Sequence, residues 1–549
     1  MTSSTGPRLP YKPQSSGAAG SLAHIYDNVD RGCIRIVHIK GFDEAGVLQC
    51  QLRSHGLADE YYATISYVWN PETSIWYSRP SQRGKPISIN SQVVSVRDKI
   101  AEILCLMHHL GKHAIWIDGL SINQDDPVDK ANQVSQMGDV YRHAKEVMTI
   151  LSSPTSDTDF LFDRQNWDPD IVAAKHDRMH KAMLEVLGND YWRRTWVLQE
   201  VVLAQELVLC CGKHTFSLEE FFSLVKSVQS HETWRQMGRH IWTLLKTDMS
   251  NKSIGHNKPD GGAFDEDEMA IFTDEGRRNY KGIPFLDVMH KAMRFNRCAD
   301  PKDVLYARRG MAVDGAILIP VVEYSEQQSV EDVYREFAIR SITMPSPNSL
   351  RILTFTSWYT DGKLPSWVPD WRVLSEVWQA IAVDGDEKGS SEDDENNDLL
   401  KLQWTDAMPS VSRDGNELMV QGRILQTITP HHAALFAKDS DKLIKMVTKP
   451  FRYQFPEMMM TLFPNAPKPI AGDLLCALKG CPAFVYLHRD EGSHAWRIVG
   501  KLQKFQHIAV QNCLTELTKY KPGANAAKNW SFRDLDAVGR LTEQSFTIV

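Results

Sequence analysis

Hydrophobic positions in the first 225 residues follow two alternating patterns. Short apolar runs, typical of strands buried on both faces, occur at ATISYV (63–68), AIWID (114–118), EVMTIL (146–151) and ELVLCC (206–211). Between these runs, apolar residues recur with the spacing of a helix. Strands that alternate with helices predict right-handed βαβ units, and therefore a parallel sheet with helices on both faces.

Turn and cap residues predict a hairpin followed by a helix between the first two of these runs. The segment ISINSQVVSV (87–96) predicts a hairpin with Asn90 and Ser91 at its turn. Ser95 is expected to cap the helix that follows, and Gly111 is expected to end it.

A second helix is predicted over residues 129–144, where Asp125 or Asp126 could cap the start. Its apolar stripe consists of Val134, Met137, Tyr141 and Ala144.

A third helix is predicted at about 190–204. It would place Trp192, Trp196 and Glu200 on one face, because these residues are spaced i, i+4, i+8. Two indoles beside a carboxyl group would desolvate it and raise its pKa, which is one way to make a catalytic acid or base. The alternative is an amphipathic core helix with an acidic residue at its rim. Either way, Trp116, Met137, Trp192 and Trp196 are expected to be largely buried.

The remainder of the chain divides by composition. A chain of 549 residues is too long for one ordinary domain. After the α/β domain we expect a helical region, an acidic linker and a small β-rich module. The predicted boundaries are 1–30 (disordered), 31–225 (α/β domain), 226–380 (helical, with a polar loop at about 245–280), 381–400 (linker), 401–500 (β-rich module) and 501–549 (tail).

Charge and hydropathy narrow the class of protein. The net charge of −7, from 62 basic and 69 acidic residues, gives no electrostatic support for nucleic-acid binding. No apolar stretch reaches the roughly 18 residues of a membrane helix, and the N-terminal residues have no apolar core of a secretory signal. We therefore expect a cytoplasmic protein, although the sequence does not distinguish cytosol from nucleus.

Nine scattered cysteines, none in a CxxC pair, predict reduced thiols and neither a disulfide framework nor a zinc ribbon. Cys210 and Cys211 are expected to be buried. No histidine or cysteine pattern predicts a metal site, and no cofactor is firmly indicated.

Four ordered blocks resemble the fungal heterokaryon-incompatibility (HET) domain: YYATISYVWN (61–70), AIWIDGLSINQDD (114–126), QVSQMGDVY (133–141) and YWRRTWVLQE (191–200). The likeness continues in RFNRCADPKDVLYARRGMA (294–312), in LPSWVPDWR (364–372) and in a strand-rich segment at 471–500. Two positions depart from the family pattern. Ser121 replaces the motif cysteine, which excludes thiol chemistry there, and Asn70 replaces a glycine after Trp69.

The polar motif residues follow the predicted strands. Ligands bind outside the carboxyl ends of parallel strands, so residues from separate blocks are expected to converge at one edge. The predicted ligand-binding residues are Ser66, Tyr67, Trp69, Asp118, Asn123 and Gln124, with Glu200 at the base of the same cleft. An alternative is that Asp118 and Asn123 make local side-chain-to-backbone turn bonds.

A more distant likeness implies a chemistry. The strand ending Ile65-Ser66-Tyr67 and the Trp196-x-x-x-Glu200 segment resemble Toll/interleukin receptor (TIR) domains, which have a flavodoxin-like parallel sheet with flanking helices. In the NAD-cleaving members of that fold the glutamate is catalytic, which makes Glu200 the candidate and NAD the candidate substrate. Cleavage passes through an oxocarbenium-like species that a carboxylate can stabilise.

The resemblance implies an effector of fungal nonself recognition and programmed cell death. One hypothesis is a TIR-like NAD glycohydrolase. A second is a non-catalytic signalling or self-association module, since scaffold members of the TIR fold have no activity. A third is an accessory domain in some other fungal pathway. The first two imply another protein, or a second copy of this chain, as partner.

Overall fold

The computed structural model describes residues 25–59, 61–68, 85–152, 155–227, 277–292, 298–346, 349–356, 363–372, 404, 407–428, 430, 460–462, 470–490, 492–502 and 541–549. The predicted disordered segment, except 25–30, lies outside these residues. So do the acidic linker, most of the polar loop at 245–280, and Trp69. The described residues belong to two compact units: one holds those up to 191, 203–227 and 277–278, and the other holds 192–202 and those from 279 onward.

In the described part of the first unit, one mixed sheet of nine strands is flanked by helices. Its order is β5-β4-β2-β1-β6-β3-β7-β8-β9. The strands are β1 (Cys33–Phe42), β2 (Leu48–Gly56), β3 (Ala63–Tyr67), β4 (Lys85–Ile89), β5 (Gln92–Val96), β6 (Ala114–Trp116), β7 (Glu146–Ser152), β8 (Leu207–Cys211) and β9 (His214–Ser217).

Strands β6, β3, β7 and β8 are parallel neighbours, which confirms the four strands predicted from the apolar runs. Numbered along the chain from β3, these four lie in the order 2-1-3-4. On both sides of these four strands the next pairing is antiparallel: β1 pairs with β6, and β9 pairs with β8. The sheet is therefore mixed rather than purely parallel.

Nine α-helices are described in this order along residues 98–227: α1 (Asp98–His109), α2 (Asp118–Ser121), α3 (Pro127–Ser135), α4 (Met137–His143), α5 (Ser156–Phe162), α6 (Pro169–Ala174), α7 (His176–Leu187), α8 (Val197–Val202) and α9 (Leu218–Ser227). Two 3-10 helices, Arg164–Trp167 and Asp190–Arg193, lie between them. Helix α8 belongs to the second unit and the other helices to the first.

The predicted hairpin is confirmed. Asn90 and Ser91 both have positive φ angles, 52° and 65°, as a two-residue type I′ turn requires. The Asn90 side chain also accepts a hydrogen bond from the Leu52 amide at 3.0 Å, which fixes the hairpin to β2. The predicted cap at Ser95 is wrong, because Ser95 pairs within β5 and Arg97 occupies the N-cap of α1. Gly111, at φ 70°, follows the end of this helix as predicted.

The predicted helix over 129–144 is two helices. Asp126 caps α3 by accepting from the amides of Val128 and Asp129, as one of the two predicted alternatives stated. The chain then leaves helical geometry at Gln136, whose φ is −110° and ψ is 6°. The Gln136 side chain donates to the carbonyl of Cys33 at 3.0 Å, and this contact with β1 accompanies the break.

The predicted helix at 190–204 is wrong in its first half. A 3-10 helix covers Asp190–Arg193, and α8 begins only at Val197. The Tyr191 amide donates to the Asn189 side chain, which in turn donates to the Leu151 carbonyl, so this turn is fixed to β7. Trp192, Trp196 and Glu200 therefore do not share one helical face.

The burial prediction is confirmed for Trp116, Met137 and Trp192. It is wrong for Trp196, which is half-buried. Cys210 and Cys211 are buried as expected. No disulfide joins two of the eight cysteines among the described residues.

The described helices of the second unit, besides α8, are α10 (Phe285–Ala292), α11 (Asp303–Arg309), α12 (Gly315–Leu318) and α13 (Val330–Thr343), with a 3-10 helix at Arg351–Phe355. Helix α11 contacts both α8 and α10. Trp367 and Trp371 of the LPSWVPDWR segment are fully buried, and Trp371 packs against Phe337 and Phe355.

A small barrel-like sheet completes the described part of the second unit. Its strands are β10 (Ser410–Val411), β11 (Leu418–Thr427), β12 (Met460–Leu462), β13 (Leu474–Leu478), β14 (Phe484–Arg489), β15 (Trp496–Leu502) and β16 (Glu543–Ile548). Strands β11, β13, β14 and β15 pair in series, and β16 pairs with both β11 and β15, which closes the ring. Across the described residues, the helices are too short or too polar to cross a membrane.

Candidate functional site

The first part of the candidate site is a buried hydroxyl cluster between the carboxyl ends of β3 and β7. The hydroxyl of Tyr191 lies 2.6 Å from Ser66 Oγ and 3.0 Å from Thr149 Oγ1. Ser66 is 1% exposed, and Thr149 and Tyr191 are also buried. Ser66, which was predicted to face a ligand, therefore uses its hydroxyl group in an internal hydrogen bond in this conformation.

Tyr67, the last residue of β3, reaches the turn that follows β6. A β-carbon added to Gly119 would lie 2.7 Å from the Tyr67 hydroxyl oxygen and 2.8 Å from Ile100 Cδ1. Only glycine allows the Tyr67 hydroxyl to approach the backbone this closely. Gly119 is therefore required for the contact between the first and second sequence blocks. The Tyr67 ring lies in the hydrophobic core.

The turn after β6 contains Asp118, Asn123 and Gln124, and each has a local structural bond. The Gln124 side chain donates to the Asp118 carbonyl at 2.9 Å, and Asn123 Oδ1 accepts from the Asp125 amide at 3.3 Å. These are the turn bonds of the alternative interpretation. All three residues remain partly exposed, so these bonds leave surface for a ligand.

Ser121, which replaces the family's cysteine, is fully buried. Its hydroxyl oxygen accepts from the Ile117 amide at 3.1 Å and closes the short helix α2. The position is structural in this chain.

Sequence reasoning missed the residue that holds this turn. Arg35 of β1 makes a two-pronged ion pair with Asp129, with both nitrogen–oxygen distances at 2.9 Å. It also donates to the carbonyls of Ser121 and Asp27, so all five of its N–H groups have acceptors. Asp129 in turn accepts from the Asn123 amide at 2.8 Å. In the sequence, a single arginine within an apolar strand is only a weak sign of such a structural role.

Glu200 lies in α8, within the second unit. It is 3% exposed, so its carboxyl group is largely removed from bulk water. In the turn before α8, Trp196 Nε1 donates to Asp303 Oδ2 at 3.2 Å, and the Tyr324 hydroxyl donates to Asp303 Oδ1 at 2.6 Å. The 191–200 and 294–312 sequence blocks are therefore joined through Asp303.

The seven predicted site residues divide between the two units. Ser66, Tyr67 and the 118–124 turn belong to the first, and Glu200 to the second. Trp69 lies outside the described residues. That all of them line one cleft stays a prediction.

The cysteines near these segments are poor nucleophiles. Burial raises the pKa of Cys210 and of Cys298 to about 12, so both thiols are protonated at neutral pH. Within the described residues, no group of three or more His, Cys, Asp or Glu side chains is arranged to hold a metal ion.

The four blocks fall within one family match. Residues 62–200, from Tyr62 of the first block to Glu200 of the last, match the family model "Heterokaryon incompatibility protein (HET)", so this segment is similar to a HET domain. The chain is also similar to "Heterokaryon incompatibility protein 6, OR allele" of Neurospora crassa. The two are 22% identical over 384 residues, which cover 57% of this chain and 53% of the relative. The chain thus spans about half the length of this curated relative. No solved structure matches the chain.

Proposed function

We propose that this protein is an effector of fungal heterokaryon incompatibility that triggers programmed cell death on nonself recognition. The observation that carries the proposal is the match of residues 62–200 to the HET family, with all four blocks in order. The similarity to a Neurospora crassa protein named for heterokaryon incompatibility supports it. We further propose a cytoplasmic location and a partner that is another protein or a second copy.

Inducible expression of the full chain in a filamentous fungus tests this role. We expect hyphal viability to fall after induction, or after fusion with a strain that carries an incompatible partner. A matched inactive chain is Gly119→Val, which places a branched side chain against Tyr67 and Ile100. Full viability in every fusion tested, with the protein present at normal levels, would contradict the proposal.

At a finer level, we propose that the domain cleaves NAD in the manner of TIR domains. The supporting observation is the 2-1-3-4 order of the parallel strands β6, β3, β7 and β8, which is the flavodoxin-like order. In such sheets a ligand sits at the switch point, here between β3 and β7, where Ser66 and Tyr67 lie.

The chemistry assigned to Glu200 follows from its charge and burial. The bond between nicotinamide and ribose breaks, nicotinamide leaves with the bonding electrons, and the ribose becomes an oxocarbenium ion. Water adds to that carbon and loses a proton, which yields ADP-ribose. A carboxylate removed from water, as at Glu200, would stabilise the cation more strongly than an exposed one.

The second candidate function is a non-catalytic signalling or self-association module. One observation favours it: Ser66, Tyr67 and Glu200 are all buried, at 1%, 3% and 3% exposure. A substrate could reach them only after a rearrangement. In a scaffold, these residues would serve packing alone.

One assay separates the two functions. Purified full chain at high concentration is incubated with NAD, and released nicotinamide is measured by chromatography. The enzyme hypothesis predicts release by the wild type and by Glu206→Gln, a matched control whose carboxylate forms an exposed ion pair with Arg278. It predicts at least about a hundredfold loss for Glu200→Gln. Equal rates for both variants would exclude Glu200 as the catalytic group, and no release would favour the module.

A further inference from the structure

Two histidines on adjacent strands of the first unit face each other through their ring nitrogens. His38 lies on β1 and His55 on β2, and their Nε2 atoms are 3.1 Å apart. The ring centroids are 5.2 Å apart with the planes inclined at 49°, so the rings meet at their nitrogen edges rather than stack. Both side chains are half-buried.

A third polar side chain is the cross-strand neighbour of one member of this pair, His38. Gln51 is the residue directly opposite His38 in the β1–β2 ladder, so the two side chains project from the same face of the sheet. Its Oε1 atom is buried and, within the part of the chain that the structure describes, has no hydrogen-bond partner. A buried carbonyl oxygen without a donor is costly unless something else satisfies it.

We propose that His38 and His55 bind a divalent transition-metal ion such as Zn²⁺, with Gln51 Oε1 as a third ligand and water completing the coordination. Zinc–nitrogen bonds of about 2.05 Å put two imidazole nitrogens about 2.9 Å apart at a right angle and about 3.3 Å apart at a tetrahedral angle. The observed 3.1 Å lies between these two values, so the separation of the two nitrogens suits the ion.

The hydrogen bond between the two rings must rearrange for this ion to bind. In the hydrogen bond between the rings, one Nε2 carries a proton and the other carries a lone pair. Metal binding needs a lone pair on both, so the donor ring moves its proton from Nε2 to Nδ1.

One charged group opposes the ion. Arg53 lies between Gln51 and His55 on the same face of β2, opposite Ile36. Its side chain is exposed and can extend into water, where screening weakens its repulsion. We therefore expect modest affinity, and Arg53→Gln should strengthen binding.

Zinc titration by calorimetry tests the site in the full chain. His38→Gln and His55→Gln should each weaken binding by about tenfold or more, since even outer-sphere changes cost about 10–100-fold. The matched control is His143→Gln, which changes an exposed histidine of α4 and should leave binding unchanged. Unchanged zinc affinity in both His38→Gln and His55→Gln would overturn the proposal.

A second measurement uses the wild type alone, in case a variant fails to fold. The protein is treated with a histidine-acylating reagent with and without zinc chloride, and modified residues are identified by mass spectrometry. We expect zinc to protect His38 and His55 together and to leave His143 reactive. Equal modification of the pair with and without zinc would overturn the proposal.

Discussion

Removal of the Arg35 guanidinium is the most informative single change in the first unit. Arg35→Met keeps most of the side-chain volume and removes all five N–H donors. It leaves the Asp129 carboxylate, which is 11% exposed, without its cation. It also leaves the carbonyls of Ser121 and Asp27 without these donors.

The expected loss can be bounded from the geometry. Removing one partner of a buried ion pair typically costs about 3–5 kcal/mol. Asp129 keeps the Asn123 amide as a donor, so we expect the lower end, about 3 kcal/mol. Replacing both partners, as Arg35→Met with Asp129→Leu, should recover much of this loss because no uncompensated charge remains.

A matched control exists on the surface of the same unit. Arg164 pairs with Glu220 at 2.9 Å, but their side chains are 57% and 39% exposed. Arg164→Met should therefore change the free energy of unfolding by only about 0–1 kcal/mol.

Hydrogen exchange followed by mass spectrometry gives a local measurement, which is needed because the two units need not unfold together. Peptides that contain the Asn123 amide should exchange faster in Arg35→Met and at the wild-type rate in Arg164→Met. A melt of each variant gives the global effect. If Arg35→Met and Arg164→Met behaved alike in both measurements, the conclusion that Arg35 holds the turn at residues 118–124 in place would be refuted.

Three further outcomes are expected. Gly119→Ala should destabilise the first unit by about 1–3 kcal/mol in chemical unfolding, because the added carbon lies 2.7 Å from the Tyr67 hydroxyl; no loss would show that the turn moves freely. Tyr324→Phe should cost about 1.5–3 kcal/mol in a thermal melt, because Asp303 loses a charged hydrogen bond, and an unchanged melt would contradict this. Two basic side chains of α7 lower the pKa of Asp157, so its ionised form stabilises the fold above the usual carboxyl range, and this stability is lost as pH falls through the lowered pKa. Asp157→Asn should therefore flatten the acid side of a profile of stability against pH. An acid side identical to that of the wild type would contradict this.

The sheet was largely predictable because its signals are local. All five residues of Ala63–Tyr67 are buried, as the short apolar run predicts. The turn at Asn90 and Ser91 needs left-handed backbone at both positions, which few residue pairs accept. In both cases, residues within the segment itself determine the local structure.

The two incorrect helix predictions arise because contacts between residues distant in sequence break the helices. The break at Gln136 coincides with a bond to Cys33, and the turn at Tyr191 is fixed by Asn189 to Leu151. Helical periodicity continues through both breaks, so pattern alone cannot detect them.

The candidate site shows the same limit. Asp118, Asn123 and Gln124 were placed correctly on one turn, because they are adjacent in sequence. Arg35 and the His38–His55 pair were missed, because each depends on strand register that no single segment specifies.

The ring closure of the second sheet has a consequence for synthesis of the protein. Strand β16 is the last of the ring along the chain, and it pairs with β11, the first. Until residues 543–548 have left the ribosome, β11 presents an unpaired backbone edge along residues 418–423, which invites association with other chains. This module can therefore complete its folding only after residues 543–548 have emerged, and any fragment that stops near residue 500 should need a chaperone or a solubilising fusion to stay monomeric.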